Sequence, residues 1–253
     1  MCASVRKIID IMLSHISFFT IIPAPSRLPV QEALRYVDFS ILTVSIPIAV
    51  IIALVGELLN ITNMSPRLAC VLLYLLNIVL TGYLHMDGVT DVLDAMFAPP
   101  EKRHTILKDP HIGAIGACGL FTLLSLGVAT ALSTSSVQTF LRMLVLSEMF
   151  SRLSCSICAR AGEPLHEGLG SIVVKAAKER PYLIAVPLTV TGLTAVLLLG
   201  LARGIVFTLA SILLTVPLIL IAVRKLGGVS GDVLGYSIEI GRHIALLALA
   251  CLA

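Results

Sequence analysis

The sequence predicts an all-α, polytopic integral membrane protein. Of its 253 residues, 57% are hydrophobic and only 13% are charged. The mean hydropathy is +1.01, and a water-facing globule of this size cannot bury so much apolar surface. Several apolar runs have the length needed to cross a hydrocarbon core of about 30 Å. Since backbone groups in lipid must satisfy their own hydrogen bonds, these runs are predicted to be helices.

The predicted elements follow one another with short connections. Residues 8–22 contain Asp10 and His15 and have no small-residue cleavage site, which favours an N-terminal interfacial helix over a signal peptide. The segment 243–253 is too short to cross unaided and is predicted to be a short C-terminal half-helix. No repeat or long linker is evident, so residues 1–253 are predicted to form one domain. Six transmembrane helices are predicted, at residues 39–59, 68–84, 112–132, 137–157, 182–201 and 204–223.

The basic residues predict the orientation of these spans. Most Lys and Arg residues precede the first span or follow the second, fourth and sixth spans, whereas the other side has only Arg67 and Arg203. The positive-inside rule therefore predicts a multi-pass protein of the cell membrane with both termini and the three long loops in the cytoplasm. The formal net charge of +3 is too small and too dispersed to indicate a nucleic acid partner.

Three aspartates are concentrated in LHMDGVTDVLDAM, residues 84–96, at the end of a predicted span. At about 100° per residue, Asp87, Asp91 and Asp94 share one helical face. Clustered carboxylates beside lipid repel one another unless a cation neutralises them, and hard oxygen ligands suit Mg²⁺. The sequence therefore predicts a Mg²⁺ site at these aspartates, with Gly88 letting a phosphate approach the backbone. The alternative is a solvated helix end.

A second group of candidate residues lies on the same predicted side of the membrane. In KDPHIGAIGACG, Lys108 and His111 supply donors for a phosphate or a planar ring, and Asp109 adds a further carboxylate. The three glycines of this motif are spaced for close helix packing. Arg152, in the fourth span, reaches a nucleotide phosphate in one interpretation and pairs with Glu148, four residues earlier, in the other.

Two more carboxylates and one histidine complete the set. The motif LGGVSGDVLGYSIEIGRH places Asp232 among glycines and Glu239 seven residues later, on the same helical face. This second patch of glycine and carboxylate on the same membrane side favours a shared polar cavity. His85, two residues before Asp87, is the histidine best placed to act as an acid, a base or a phosphate donor.

These pieces occur in the order and spacing of a known family. Along nearly its whole length the chain resembles the cobalamin-5′-phosphate synthases, also called adenosylcobinamide-GDP ribazoletransferases. The matching motifs are FFTIIPAPS, TGYLHMDGVTDVLDAM, ILKDPHIGAIG, SEMFSRL followed by AR, GEPLHEGLG and LGGVSGDVLGYSIEI. Two positions depart from the family pattern, which usually has an arginine in place of His111 and an acidic residue in place of Arg242.

The resemblance implies the last assembly of the cobalamin nucleotide loop by a single catalytic domain. A ribose hydroxyl of α-ribazole, or of its 5′-phosphate, would attack the cobinamide-side phosphorus of adenosylcobinamide-GDP, and GMP would leave. The three aspartates would organise Mg²⁺ and the diphosphate, with Asp94 or His85 as the base. Asp232 and Glu239 would complete the polar cavity.

Two other functions are weighed against this one. A CDP-alcohol phosphotransferase of lipid synthesis also opens its motif with D-G, but it has an A-R pair after D-G-x-x, where this chain has DGVTDVLD. A carboxylate-coupled transporter predicts inverted repeats and acidic residues near the membrane midplane; no repeat is evident, and only Glu148 lies near a midplane. The expected partners are thus the two substrates and the lipid bilayer, and a homo-oligomer is compatible with the sequence.

Overall fold

The computed structural model describes residues 3–62 and 64–252, and this part of the chain is predominantly helical. Extended pairing within it is limited to one isolated bridge between Pro164 and Val229. Its α-helices are α1 (Ala3–Phe19), α2 (Val30–Leu34), α3 (Ser40–Thr43), α4 (Ser45–Ile61), α5 (Pro66–Leu80), α6 (Met86–Phe97), α7 (Arg103–Ile106), α8 (Ala114–Ser133), α9 (Val137–Cys158), α10 (Leu169–Glu179), α11 (Ala185–Leu199), α12 (Leu201–Leu226) and α13 (Gly231–Leu252).

Within these described ranges, five helical segments are long and apolar enough to cross a membrane. The prediction of an all-α polytopic membrane protein is confirmed. Helix α5 is apolar but has only 15 residues, and α9 has 22 residues but contains Arg142, Glu148 and Arg152. The five segments are Val37–Ile61, Ala114–Ser133, Pro181–Leu199, Leu201–Leu226 and Gly231–Leu252.

The second predicted span ends earlier than the sequence indicated. We expected it to reach residue 84, but α5 ends at Leu80. The next residues include Gly82 at φ 61° and Tyr83 at φ 59°, a left-handed conformation that a helix cannot continue through. This turn places His85 directly before α6.

The C-terminal segment also differs from the predicted half-helix. The residues from Gly231 to Leu252 form one helix of 22 residues, which is about 33 Å long at 1.5 Å per residue; residue 253 lies outside the described residues. Ala250 borders the same surface depression as the 133–136 loop, whereas Asp232, at the start of α13, lies beside α6. The far end of α13 therefore lies on the other side of the bundle from Asp232, and the segment is part of a full-length helix and not the predicted half-helix.

The helix continues because its charged residues are paired inside the bundle. Arg242, which the orientation count assigned to a polar tail, bonds Glu239 and Glu148. Helices α9 and α13 pack antiparallel, and Gly241 makes their contact close, because a Cβ there would lie 2.1 Å from the Oγ of Ser154.

The N-terminal helix α1 lies on the bundle beside α2 and α3. His15 is buried, with its two ring nitrogens 2.8 Å from the Oγ1 of Thr43 and 2.9 Å from the carbonyl oxygen of Ala33. Earlier turns of α1 expose apolar side chains, including those of Ile8 and Met12. This arrangement is typical of a helix that rests in the membrane interface, as the sequence predicts.

Candidate active site

The first turns of α6 and α13 cross at Gly88. A Cβ at this position would lie 2.5 Å from the carbonyl oxygen of Asp232, so only glycine permits this contact. Gly235, one turn further along α13, faces His85, where a Cβ would lie at an ordinary contact distance of 3.5 Å from the Cα. We expected Gly88 to admit a phosphate, and the structure shows that its missing side chain admits α13. The crossing places the candidate residues of both motifs at one end of the bundle.

Asp91 lies in a cluster of negative charge. Burial, then the carboxylates of Asp87 and Asp232, and more weakly Asp94, raise the pKa of Asp91 to about 6, against a small lowering by its hydrogen bond from Thr90. In the described ranges no Lys, Arg or His side chain forms an ion pair with the carboxylates of Asp87, Asp91 or Asp232. We call these three residues the acid cluster. Its charge is not compensated by the protein.

Asp94 is engaged differently from the other two aspartates of its motif. Its carboxylate accepts hydrogen bonds from the backbone N–H groups of Gly113, at 2.8 Å, and Gly116, at 2.9 Å. These N–H groups belong to the first turn of α8, so Asp94 caps that helix from α6. A Cβ on either glycine would lie 2.4 Å from an Asp94 oxygen. The glycines of this motif therefore serve close packing, as predicted.

The chemistry of the acid cluster fits a divalent cation. No group of three or more His, Cys, Asp or Glu side chains converges closely enough to hold a metal ion within residues 3–62 and 64–252. Mg²⁺, however, typically takes one or two protein carboxylates and completes its coordination with water and substrate phosphates. Asp87 and Asp91 offer such oxygen donors without a competing cation of the protein. Asp94 already accepts an N–H group at each oxygen.

A cavity of about 280 Å³ opens beside the acid cluster. His85 borders it, and the Nε2 atom of this ring has no hydrogen-bond partner among the described residues. Burial, with the positive charges of Arg152 and Arg242, lowers the pKa of His85 well below its ordinary value, so the ring is neutral and a weak base. The cavity is lined by Phe18, Phe19, Leu34, Val37, Leu84, His85, Asp87, Gly88, Cys155, Leu169, Gly170, Val173, Gly231, Asp232, Leu234, Gly235 and Ile238.

Arg152 and Glu239 lie inside the bundle and do not border this cavity. Arg152 bonds Glu148 at 2.7 Å, Arg242 bonds the other oxygen of Glu148 at 2.8 Å, and Arg242 bonds Glu239 at 2.6 Å. All four side chains are at most 1% exposed. We call them the buried charge network. Of the two predicted partners of Arg152, a nucleotide phosphate or Glu148, the structure shows Glu148.

Two further residues next to the buried charge network, Tyr74 and His243, were not predicted from the sequence. The hydroxyl of Tyr74 lies 2.9 Å from Nε2 of His243, whose Nδ1 lies 2.8 Å from the backbone carbonyl oxygen of Glu239. The i,i+4 spacing of Glu239 and His243 was a usable signal, but Tyr74 joins them from a distant segment. Sequence spacing does not show such a contact.

Lys108, Asp109 and His111 lie on an exposed loop before α8. The Oδ1 atom of Asp109 accepts a hydrogen bond from the backbone N–H of His111 at 3.0 Å and lies 2.7 Å from its Nδ1. These hydrogen bonds hold the pKa of Asp109 below its usual value. The structure does not bring these three residues to the cavity. It connects their loop to α6 through the bond between Gly113 and Asp94.

The apolar wall of the cavity was also missed by the site prediction. Phe19 comes from the end of α1, and Leu169 and Val173 come from α10. A signal was present, because Phe19 and Leu169 belong to FFTIIPAPS and GEPLHEGLG, two of the motifs on which the resemblance rests.

The comparison with known proteins agrees with these motifs. A family model described as cobalamin-5-phosphate synthase matches residues 11–250. The chain belongs to this family. Among named relatives, an adenosylcobinamide-GDP ribazoletransferase from Pyrobaculum calidifontis is 33% identical over 70% of this chain and 73% of its own length. An enzyme of the same name from Haloquadratum walsbyi is 26% identical over 95% of this chain and 97% of its own length. Another, from Thermoplasma acidophilum, is 27% identical over 92% of this chain and 89% of its own length. No solved structure matches the chain.

Membership of the cobalamin-5-phosphate synthase family confirms the prediction of an enzyme of cobalamin synthesis and does not favour the phosphotransferase or transporter alternatives. The structure also accounts for Arg242, which stands where the family pattern usually has an acidic residue. In this chain the guanidinium lies between Glu148 and Glu239 and compensates both, so the charge at this position is balanced within the protein. His111, the other departure, is exposed and paired with Asp109.

Proposed function

We propose that this chain joins adenosylcobinamide-GDP to α-ribazole, or to its 5′-phosphate, and releases GMP. A ribose hydroxyl oxygen forms a bond to the cobinamide-side phosphorus, and the bond from that phosphorus to the oxygen bridging to GMP breaks. The hydroxyl proton passes to a base on the protein, and GMP leaves with the bridging oxygen. No change of oxidation state is involved.

The observation that carries this proposal is the adjacency of an uncompensated acid cluster and a neutral, unpartnered histidine. Asp87 lies at the mouth of the cavity that His85 borders. A diphosphate held at the acid cluster would thus lie next to His85, one of the two candidate bases for the attacking hydroxyl. Each oxygen of Asp94, the other candidate, already accepts one backbone N–H group, and burial makes His85 a weak base.

We propose Mg²⁺ as the ion that the acid cluster holds, with Asp87 and Asp91 as its protein ligands. When bound, Mg²⁺ neutralises diphosphate charge and stabilises the negative charge that develops on the leaving phosphate. The support is the position of Asp91 beside Asp87 and Asp232, since burial and then these two carboxylates raise the pKa of Asp91 to about 6. Lys108, Asp109 and His111 remain candidates for contacts with the exposed end of the donor.

The test is an assay with purified protein in lipid nanodiscs, adenosylcobinamide-GDP and α-ribazole, with and without Mg²⁺. We expect GMP and the joined corrinoid in equal amounts, and no product after chelation. GMP release that does not depend on α-ribazole would indicate hydrolysis and contradict the proposal. Activity with CDP-alcohols in place of these substrates would favour the phosphotransferase alternative.

We also propose that the acid cluster faces the cytoplasm at the cell membrane. The support is the distribution of basic residues, together with the position of the 133–136 loop beside the far end of α13. Single cysteines are introduced at Ser135 and Glu101 in a background lacking the native cysteines. A membrane-impermeant thiol reagent added to intact cells should label only the first. Labelling of the Glu101 position alone would reverse the orientation.

A further inference from the structure

Helix α12 exposes a row of apolar side chains that ends in a cation. Leu214, Leu218 and Ile221 are exposed, and we call them the apolar stripe. Lys225, which is also exposed, follows four residues after Ile221. At about 100° per residue, these four positions lie within about 60° of one another around the helix. Because α12 is long and apolar enough to cross a membrane, the apolar stripe faces lipid and Lys225 marks the end of the hydrocarbon.

The length of the apolar stripe matches one leaflet of a bilayer. From Leu214 to Lys225 the helix rises about 16 Å at 1.5 Å per residue, and half of a hydrocarbon core of about 30 Å is about 15 Å. An acyl chain that lies along the apolar stripe therefore places its headgroup at the level of Lys225.

Two more cations and an aromatic ring lie at this end of the apolar stripe. The Nζ of Lys225 lies 5.2 Å from the ring centre of Phe97, a side chain that is 62% exposed. The Nη1 of Arg103 donates a hydrogen bond to the carbonyl oxygen of Lys225 at 2.8 Å, and the exposed Arg224 precedes Lys225 in the chain. Exposed aromatic and basic side chains are typical of the boundary between membrane and water. We call Phe97, Arg103, Arg224 and Lys225 the basic rim.

The positive charge of the basic rim is not compensated by acidic side chains. Among the ion pairs within residues 3–62 and 64–252, none includes Arg103, Arg224 or Lys225. Glu101, two residues before Arg103, is exposed and joins none of these pairs. The basic rim therefore offers its charge to an anion from outside the protein.

Some donors of the basic rim close the end of α6. The Nζ of Lys225 donates to the carbonyl oxygen of Met96 at 3.2 Å, and the Nε of Arg103 donates to that of Ala98 at 3.2 Å. An ammonium has three N–H groups and a guanidinium has five, so both side chains keep donors for a ligand. The bonds to α6 also hold the two cations in place, which lowers the entropy cost of binding.

We infer that the basic rim binds the headgroup of an anionic phospholipid whose acyl chain lies along the apolar stripe of α12. The headgroup phosphate meets Arg103, Arg224 and Lys225, since anionic lipids are attracted to basic residues at the end of a membrane helix. A lipid fits better than a soluble phosphate, because only a lipid also covers Phe97 and the apolar stripe. This site lies at the opposite end of α6 from Asp87 and does not depend on the proposed reaction.

The first experiment counts individual lipid molecules on the full chain by native mass spectrometry in detergent. The probes are dioleoyl phosphatidylglycerol, which is anionic, and dioleoyl phosphatidylcholine, which has the same chains and no net charge. We expect the first phosphatidylglycerol to bind at least tenfold more tightly than the first phosphatidylcholine. Equal affinities would overturn the inference.

Variants then test the location. Arg224→Gln and Lys225→Gln should each weaken phosphatidylglycerol binding about fivefold, and Lys225→Arg, which keeps the charge, should restore it. Arg224→Gln keeps the test valid if the loss of the bond to Met96 unfolds the Lys225 variant. Arg27→Gln removes the same charge at an exposed position between α1 and α2, and this matched control should change binding less than twofold. Equal weakening by the control would show general charge attraction and overturn the site.

A soluble competitor separates a lipid from a free phosphate. Glycerol 3-phosphate, added in large excess, should not displace phosphatidylglycerol, because it has no chain to cover Phe97 and the apolar stripe. Displacement would make the basic rim a site for soluble phosphates and overturn the choice of a lipid. None of these measurements uses GMP release, so a failure of the lipid site leaves the proposed function intact, and a failure of the proposed reaction leaves the lipid site intact.

Discussion

The acid cluster and the buried charge network use the same kinds of side chain in opposite ways. In the network, Glu148, Glu239, Arg152 and Arg242 lie at most 1% exposed and compensate one another. In the acid cluster, three carboxylates lie together with no cation of the protein beside them in the described residues. The charges of the network are thus compensated within the bundle, whereas those of the acid cluster remain free for the ion that we propose.

The largest expected effect is a loss of folding stability when the buried charge network is broken. Arg242→Met leaves Glu148 and Glu239 without their shared partner, and breaking a buried ion pair typically costs about 3–5 kcal/mol. We expect a loss of stability of this size, measured by denaturant unfolding in detergent. Glu179→Gln, which breaks an exposed pair with Arg35, is the control and should cost about 1 kcal/mol or less. Similar losses in both variants would show that the network does not hold α9 to α13.

A substitution in the acid cluster should lower catalytic activity and leave the stability of the protein unharmed. Asp91→Asn removes a proposed metal ligand and relieves carboxylate repulsion, so we expect kcat to fall about 10²- to 10³-fold while thermal stability stays equal or rises. Steady-state GMP release and a melting curve measure the two quantities. Glu101→Gln, at an exposed position in a short 3-10 helix, should leave both unchanged. Full activity of the Asp91 variant would remove this residue from the site.

A substitution at Gly88, where α6 crosses α13, should have a smaller effect on stability. Gly88→Ala places a Cβ 2.5 Å from the backbone oxygen of Asp232, and overpacking of this kind costs about 1–3 kcal/mol. We expect a lower melting temperature together with lost activity, because α6 must shift relative to α13. Gly192→Ala, where a Cβ meets nothing within 4 Å, should be neutral or slightly stabilising. Equal behaviour of both variants would contradict the crossing.

The smallest effect concerns pH. The pKa of Asp91 in the folded protein is about 6, above its ordinary value of 3.8, so the folded state binds this proton more tightly than the unfolded state. Stability from this group is fully present below pH 3.8 and is lost as the pH rises through 6. We expect the metal-free protein to lose stability between pH 4 and 6, and Asp91→Asn to reduce that slope. An identical slope in the variant would contradict the assigned cause.

Local patterns in the sequence predicted much of this architecture. Apolar runs predicted the helices because lipid imposes one backbone solution on them, and motif spacing predicted the face shared by Asp87 and Asp91. The break after Leu80 was missed although Gly82 carries the usual signal of a left-handed turn; Tyr83, which shares this conformation, carries none. The continuous α13 was missed because Glu239 and Arg242 are charged and predict a segment outside the membrane. Their burial becomes understandable only when Glu148 of α9 is seen to pair with Arg242.

The site was predicted less completely than the fold. Asp94 and Gly88 were assigned to ligands because spacing shows a shared face but not what stands opposite that face. Here α8 stands opposite Asp94 and α13 stands opposite Gly88. The apolar cavity wall comes from α1, α2, α9, α10 and α13. The motifs that contain Phe19 and Leu169 mark two parts of this wall but do not show that the helices meet.

The division of the buried charge network between α9 and α13 has a consequence for biosynthesis. Glu148 finds Arg152 on its own helix as soon as α9 has been translated, but Arg242 leaves the ribosome only about 90 residues later in the chain. Until α13 has been inserted, one carboxylate oxygen of Glu148 lacks the partner that it has in the folded bundle. Insertion of this bundle is therefore completed by the late helix that also brings Asp232 to the acids of α6.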